Sequence, residues 1–243
     1  LLVPERPGRL PAVVVPYYEP ESSVGLAKMG LRDFGLQLAR RGFVTLSIGS
    51  PGGDARRPET GGAACQPLMF LGSMAANAAR ALGRLPQVDA ARIGVVGHSY
   101  GGKWAMFAAA FFEEFACGAW SDPGIVFDET RPNVNYWEPW YLGLDPGRTR
   151  KPGVPTNENP RTGAYARLVE EGHDLHEVLA LMAPRPFFVS AGSEDPPERW
   201  RALNHVRAVN KLLGFDDRVA MDNRPGHDPT FESNERIYLF FED

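Results

Sequence analysis

The segment Gly97-His98-Ser99-Tyr100-Gly101 places a serine between two glycines, which is the spacing required of a nucleophilic serine on a tight turn. Such a serine lies between a strand and a helix, where glycines prevent a clash between neighbouring backbone segments. The apolar run 92–96 precedes the motif and the helical stretch 103–115 follows it. The sequence therefore predicts that Ser99 is a nucleophile, and the alternative is an ordinary serine in a glycine-rich turn.

A serine hydroxyl is a weak nucleophile until a base removes its proton, and that base is typically a histidine late in the chain. His227 follows the last predicted strand in the loop Arg224-Pro225-Gly226-His227-Asp228, so we expect it to be the base. The remaining histidines are better explained by other roles: packing or hydrogen bonding for His98, a helix surface for His205, and a position near the site for His173 and His176. No metal site is predicted, because the last two histidines lack further ligands.

The third member of such a set is an acid that fixes the tautomer of the histidine. It is expected after the penultimate strand, 186–190, which is followed by Ala191-Gly192-Ser193-Glu194-Asp195. Sequence alone separates the two carboxylates poorly. We predict Asp195 from its spacing to Gly192 and keep Glu194 as the alternative acid.

Stabilising the oxyanion that forms during attack requires two N–H donors. One is expected to be the backbone N–H of Tyr100, directly after the nucleophile. The second is expected in the loop after the first strand, where Tyr18 is the first choice and Tyr17 the second. Pro16 has no N–H and is excluded.

Short apolar runs alternate with amphipathic stretches along the chain, as in a parallel sheet with crossover helices. Strands are predicted at 11–15, 43–48, 92–96, 116–120, 186–190 and 218–221, and helices at 26–41, 68–85, 103–115, 198–213 and 229–241. We expect one α/β domain over 1–243, with a doubly wound, mostly parallel sheet and an aromatic-rich insertion or lid at about 121–162. The N-terminal strand is expected to be incomplete.

Composition excludes several function classes. The net charge is −4 without a long run of one sign, so no nucleic-acid or membrane-surface partner is predicted. No stretch approaches the roughly 20 apolar residues of a membrane helix. The two cysteines, Cys65 and Cys117, are expected to be unpaired. No cofactor is required, the oligomeric state is unknown, and a secreted or periplasmic location is expected if a signal peptide precedes Leu1.

The motifs resemble those of the α/β-hydrolase superfamily over nearly the whole chain: dienelactone hydrolases, the acetyl xylan esterase and cephalosporin deacetylase group, and glucuronoyl esterases. The APRP of 183–186 with the GSED turn resembles the approach to the acid in these enzymes. Gly97-x-Ser99-x-x-Gly102-Lys103 is similar to the glucuronoyl esterase pattern G-C-S-R-x-G-K, in which the lysine contacts sugar hydroxyls. The resemblance implies that Lys103 binds substrate; the alternative is a helix-surface cation. His98 and Tyr100 stand where that pattern has cysteine and arginine.

The insertion contains Tyr136-Trp137-Glu138-Pro139-Trp140, whose indole rings suit the apolar faces of sugars and whose carboxylate suits hydroxyls. Trp137, Glu138 and Trp140 are therefore predicted to bind substrate; the alternative is a self-packed insertion or a dimer contact. Together these features predict a serine ester hydrolase acting on a small-molecule ester, an acylated carbohydrate or a sugar-acid ester. A lactone or peptide hydrolase of the same fold and a non-catalytic binding module are the alternatives.

Overall fold

A computed structural model of the chain describes residues 1–17, 19–27, 29–54, 57–131 and 141–243. Within them, six parallel strands form one sheet in the order β2-β1-β3-β4-β5-β6. The strands are β1 (Leu10–Pro16), β2 (Val44–Ile48), β3 (Val88–His98), β4 (Cys117–Ser121), β5 (Phe187–Ala191) and β6 (Val219–Asn223). Each predicted strand is found within a few residues of its expected bounds.

Helices cover both faces of the sheet. They are α1 (Pro20–Ser23), α2 (Phe34–Arg41), α3 (Pro67–Gly83), α4 (Tyr100–Phe111), α5 (Gly163–Glu170), α6 (Leu175–Ala180), α7 (Trp200–Leu212) and α8 (Phe231–Glu242). Alternate residues of β1 separate the two cores: Val13 and Val15 pack with α2 and α8, whereas Ala12 and Val14 pack with α3 and α4. A strand buried on both faces explains the uninterrupted apolar run, and the doubly wound architecture is confirmed.

The helix predicted over 26–41 is wrong in its first half, because the helix begins only at Phe34. Gly25 and Leu31 both have positive φ, at 77° and 64°, which right-handed helix cannot accommodate. The predicted stop is correct: Gly42 ends α2 with φ 107°. Helices α1, α5 and α6 were not predicted, since all three are short.

The order of the strands creates a switch point between β1 and β3. The chain proceeds from β1 to β2 in one direction and from β3 to β6 in the other. In open α/β sheets, ligands bind at the carboxyl ends of the strands beside such a point. Ser99 follows β3 directly and therefore lies at this point.

The chain between β4 and α5 is irregular in its described parts, 122–131 and 141–162, which contain no helix or strand. Glu129 connects the first part to α5, because it accepts hydrogen bonds from Arg161 at 2.5 and 2.6 Å and from the Tyr165 hydroxyl at 2.5 Å. Among the described helices, none has the length and apolar character needed to cross a membrane.

Candidate active site

Ser99 lies on a strained turn between β3 and α4, with φ 55° and ψ −120°. A non-glycine residue in this region costs on the order of 1 to 3 kcal/mol, and such strain clusters at functional sites. The flanking residues must be glycines, because no side chain would fit at either position. A Cβ on Gly97 would lie 2.1 Å from the Gly101 carbonyl oxygen, and one on Gly101 would lie 2.4 Å from that of Pro16. The geometry matches that predicted from the motif.

The imidazole of His227 connects Ser99 to a carboxylate. Its Nε2 is 2.7 Å from Ser99 Oγ, and its Nδ1 is 2.7 Å from Asp122 Oδ2. An ionised carboxylate only accepts hydrogen bonds, so Nδ1 donates to Asp122 and Nε2 is left to accept the serine hydrogen. The ring is 34% exposed, while Asp122 is fully buried. Substrate can therefore reach the ring while water is kept from the carboxylate.

The prediction that Asp195, or alternatively Glu194, orients the histidine is wrong. Both ring nitrogens of His227 are engaged, one by Ser99 and the other by Asp122, which follows β4 instead of β5. Asp195 is turned away and accepts backbone N–H groups of Gly124 and Ile125. The Glu194 carboxylate forms a salt bridge with Arg131 at 2.8 Å.

Asp122 is held by its backbone and by the neighbouring loop. Its φ is 53°, so the chain turns sharply at the end of β4. Its carboxylate accepts the N–H groups of Glu194, at 3.1 Å, and of Asp195, at 3.0 Å. Gly192 is necessary here, because a Cβ at that position would lie 2.7 Å from Asp122 Oδ2 and 2.4 Å from the Gly226 carbonyl oxygen. The loops that follow β4, β5 and β6 therefore meet around this carboxylate.

The loops after β4 and β5 bind each other reciprocally. Asp122 accepts N–H groups of the β5 loop, and Asp195 accepts those of Gly124 and Ile125 in the β4 loop at 2.7 and 2.6 Å. Lys103 completes the arrangement by donating from Nζ to the Gly124 carbonyl oxygen. We call Lys103, Asp195 and the 124–125 backbone the loop clasp.

The loop clasp buries two opposite charges. Burial lowers the pKa of Lys103, and the attraction of Asp195 opposes that shift. Burial raises the pKa of Asp195, and the two backbone N–H groups and Lys103 oppose it. Their attraction and the hydrogen bonds to the 124–125 backbone offset part of the cost of burying each charge.

The structure gives no support to the prediction that Lys103 binds substrate. Its side chain is 1% exposed and its ammonium lies under the β4 loop. The predicted partners Trp137, Glu138 and Trp140 lie outside the described residues, so their role stays a prediction.

Of the predicted oxyanion donors, Tyr100 occupies the expected place at the first residue of α4, directly after Ser99. Its ring packs against Tyr141, with centroids 5.7 Å apart. The second choice, Tyr17, is excluded because its N–H donates to the Ile48 carbonyl at 3.0 Å. Tyr18 lies outside the described residues and stays a prediction.

His98 lies beside the candidate base, with ring centroids 4.8 Å apart. Its Nδ1 is 3.1 Å from Ser121 Oγ, and the ring is 2% exposed. Burial, followed by the charge of His227, places the pKa of His98 well below its usual range. The ring is therefore neutral, which agrees with the predicted packing and hydrogen-bonding role.

The other histidines form no ligand set. His173 contacts Glu177 at 2.6 Å, and His176 packs edge-on against His205. Across the described part of the chain, no group of three or more His, Cys, Asp or Glu residues is arranged to hold a metal ion. Cys65 and Cys117 are both free, as expected.

Sequence reasoning missed Asp122 because the irregular insertion was taken to begin at 121. A usable signal was present in Trp120-Ser121-Asp122-Pro123-Gly124, where an acid follows a buried strand and precedes a Pro-Gly turn. Arg224 was also missed as a structural residue. It is 5% exposed, and a lone arginine in a loop carries no local signal of burial.

The fold is shared with known hydrolases. A CE15 glucuronoyl esterase from Teredinibacter turnerae matches with TM-score 0.70 and 20% identity over 99% of this chain and 67% of its own. One from Caldicellulosiruptor kristjansonii matches with TM-score 0.63 and 21% identity over 100% and 70%. An α/β hydrolase from Penicillium matches with TM-score 0.58 and 16% identity over 98% and 90%. No protein-family model and no curated protein matches the chain. The α/β-hydrolase fold and the structural resemblance to glucuronoyl esterases are thereby confirmed.

Proposed function

We propose that the protein is a serine hydrolase that cleaves carboxylic esters through an acyl-enzyme, with Ser99 as nucleophile, His227 as base and Asp122 as the orienting acid. The observation that carries the proposal is the pair of 2.7 Å contacts of His227, one to Ser99 Oγ and one to Asp122 Oδ2. These distances lie in the range required for proton transfer between a base and its nucleophile.

The first half of the reaction forms the acyl-enzyme. His227 Nε2 takes the hydroxyl proton as Ser99 Oγ attacks the ester carbonyl, and Asp122 stabilises the imidazolium that results. The N–H of Tyr100, and that of Tyr18 as second donor, bind the oxyanion. The imidazolium then gives its proton to the leaving alcohol as the carbon–oxygen bond breaks.

The second half releases the acid. Water attacks the acyl carbonyl while His227 takes a proton from it, and collapse of the second tetrahedral intermediate returns the proton to Ser99. Asp122 holds the imidazole in place throughout, because its carboxylate accepts hydrogen bonds from His227 and from two backbone N–H groups.

The substrate class that we propose is an acylated carbohydrate or a sugar-acid ester. The support is the fold shared with two glucuronoyl esterases and the aromatic segment of the insertion. Lys103 gives no support, because it is buried.

A fluorophosphonate probe and a substrate panel test both parts. We expect the probe to label wild-type protein and not Ser99→Ala. We also expect hydrolysis of acetylated sugars, uronate methyl esters or p-nitrophenyl acetate, with little activity on lactones and peptides. Absence of labelling in folded protein would overturn the serine mechanism. Labelling combined with activity confined to lactones or peptides would overturn the substrate class alone.

A further inference from the structure

The loop that carries His227 is folded around a buried guanidinium. Arg224 begins this loop directly after β6 and is 5% exposed. Its side chain turns forward to the carbonyl oxygens of the residues three and four positions on. Nη2 donates to the His227 carbonyl at 2.6 Å, and Nε donates to that of Asp228 at 2.9 Å. The turn on which the base lies is therefore closed by one side chain.

The same guanidinium attaches the loop to the sheet. Nη1 donates to the Ser190 carbonyl at 2.8 Å, at the end of β5. Nη2 also donates to Ser121 Oγ at 3.1 Å, at the end of β4. The backbone N–H of Arg224 donates to the Ala191 carbonyl at 3.0 Å. The histidine loop is thus held against the two strands whose following loops surround Asp122.

The contacts extend to the ring beside the base. Arginine only donates, so Ser121 Oγ accepts from Arg224, and the same oxygen lies 3.1 Å from His98 Nδ1. Arg224 thereby fixes both the loop of His227 and, through Ser121, the neighbouring imidazole.

The geometry points to Arg224 as a positioning residue for His227, acting on the serine hydrolase site proposed above, on which this inference rests. It touches neither Ser99 Oγ nor the imidazole ring, and its contacts to the loop are to main-chain oxygens. A lysine cannot replace it, because a single ammonium lacks the fork that reaches from the end of β5 to the 227 and 228 carbonyls.

Displacing a catalytic group by about 1 Å can reduce the rate on the order of 100-fold. We therefore expect Arg224→Ala to lower kcat for p-nitrophenyl acetate about 100-fold, with KM changed less than about threefold, because the Arg224 side chain is buried and contacts the loop through its main-chain oxygens. Arg224→Lys is expected to lose about tenfold. Ethylguanidinium added to Arg224→Ala should restore at least about tenfold, whereas ethylammonium should not.

Arg185 provides a matched control. It is also partly buried and also donates to main-chain carbonyls, those of Phe112 and Phe115 at 3.1 and 2.9 Å. It precedes β5 and therefore lies at the amino ends of the strands, away from Ser99. Arg185→Ala should lower the thermal midpoint while leaving kcat within about threefold.

The inference is overturned if Arg224→Ala and Arg224→Lys keep kcat within threefold of wild type, if ethylguanidinium restores nothing, or if Arg185→Ala loses as much as Arg224→Ala. Should Arg224→Ala not fold, kcat of Arg224→Lys, measured below its thermal midpoint, decides.

Labelling of wild type but not Ser99→Ala tests the proposed function separately. If wild type is not labelled, the low-field proton signal of the His227–Asp122 hydrogen bond decides: loss in Arg224→Lys with retention in Arg185→Ala supports positioning, and retention in both overturns it.

Discussion

Asp122 and Asp195 are a matched pair that the fold uses differently. Both are fully buried, both follow adjacent parallel strands, and each accepts two backbone N–H groups from the loop of the other. They differ in the side chain with which they interact. Asp122 accepts a hydrogen bond from His227, and Asp195 is attracted by the buried Lys103 of α4.

The difference shows that the end of a strand does not by itself determine the role of an acid. The turn at Asp122, with φ 53°, and the space left by Gly192 bring the first carboxylate to the histidine loop. The second carboxylate is directed toward Gly124 and Ile125 by their N–H groups. One acid can therefore act on the proposed chemistry, while the other fixes the loop that carries it.

The difference between the two acids is tested most directly by replacing each in turn with its uncharged amide. Asp122→Asn is expected to lower kcat/KM by about 10⁴-fold, the loss known for the corresponding change in serine proteases. The amide can donate to Nδ1, which places the proton on Nε2 and leaves no base for Ser99. Steady-state kinetics on p-nitrophenyl acetate measures the effect.

Asp195→Asn is the matched control, since it also replaces a buried carboxylate that accepts two N–H groups. We expect it to keep kcat/KM within about tenfold while losing stability through the weakened hydrogen bonds. The comparison fails if Asp195→Asn is the variant that loses the larger factor.

The loop clasp allows a second test, in which the free energy of unfolding is measured. Lys103→Met removes the cation and leaves Asp195 buried without it, so we expect the free energy of unfolding to fall by about 3 to 5 kcal/mol. The double variant Lys103→Met with Asp195→Asn should be more stable than Lys103→Met alone, because no buried charge is left over. Urea unfolding checks both.

The exposed Lys211 of α7 serves as the control for this prediction. Lys211→Met should change stability by less than about 0.5 kcal/mol. A double variant no more stable than Lys103→Met would show that the two buried groups do not depend on each other.

Some parts of the fold and of the site could be predicted from the sequence, and others could not. The strands, Ser99 and its glycines follow from local patterns, because a buried strand and a tight turn each leave a short signature. The position of His227 beside Ser99 could be predicted because a base is expected after the last strand. Asp122 was missed because the choice between two carboxylates depends on how separate loops bend toward each other, which no local pattern records. The burial of Lys103 depends on the same loops.

Acidification is expected to lower the free energy of unfolding through His98, the buried histidine beside His227. The native pKa of His98 lies well below its usual range, mainly because of burial. As pH falls below about 6.5, the unfolded chain binds a proton that the native ring does not, so stability falls until the native pKa is reached. His98→Asn, which keeps a polar group near Ser121, should lack this component.

The measurement is the difference between wild type and His98→Asn in urea unfolding at several pH values. The wild type should lose stability more steeply on acidification, by up to about 1.4 kcal/mol per pH unit for one proton. Parallel curves from about pH 7 to about pH 4 would mean that His98 is not held neutral by the fold.

The smallest effect is expected at Glu194, the neighbour of Asp195 in the same loop. Its backbone N–H holds Asp122, but its carboxylate pairs with Arg131 at 2.8 Å and the two side chains are 13% and 26% exposed. Glu194→Gln keeps the backbone contact and removes only the charge, and a partly exposed ion pair contributes about 1 kcal/mol or less. We expect kcat/KM to stay within about threefold of wild type. A loss comparable with that of Asp122→Asn would mean that Glu194 reaches His227 during turnover, and the division between the two loops would then hold only for the resting enzyme.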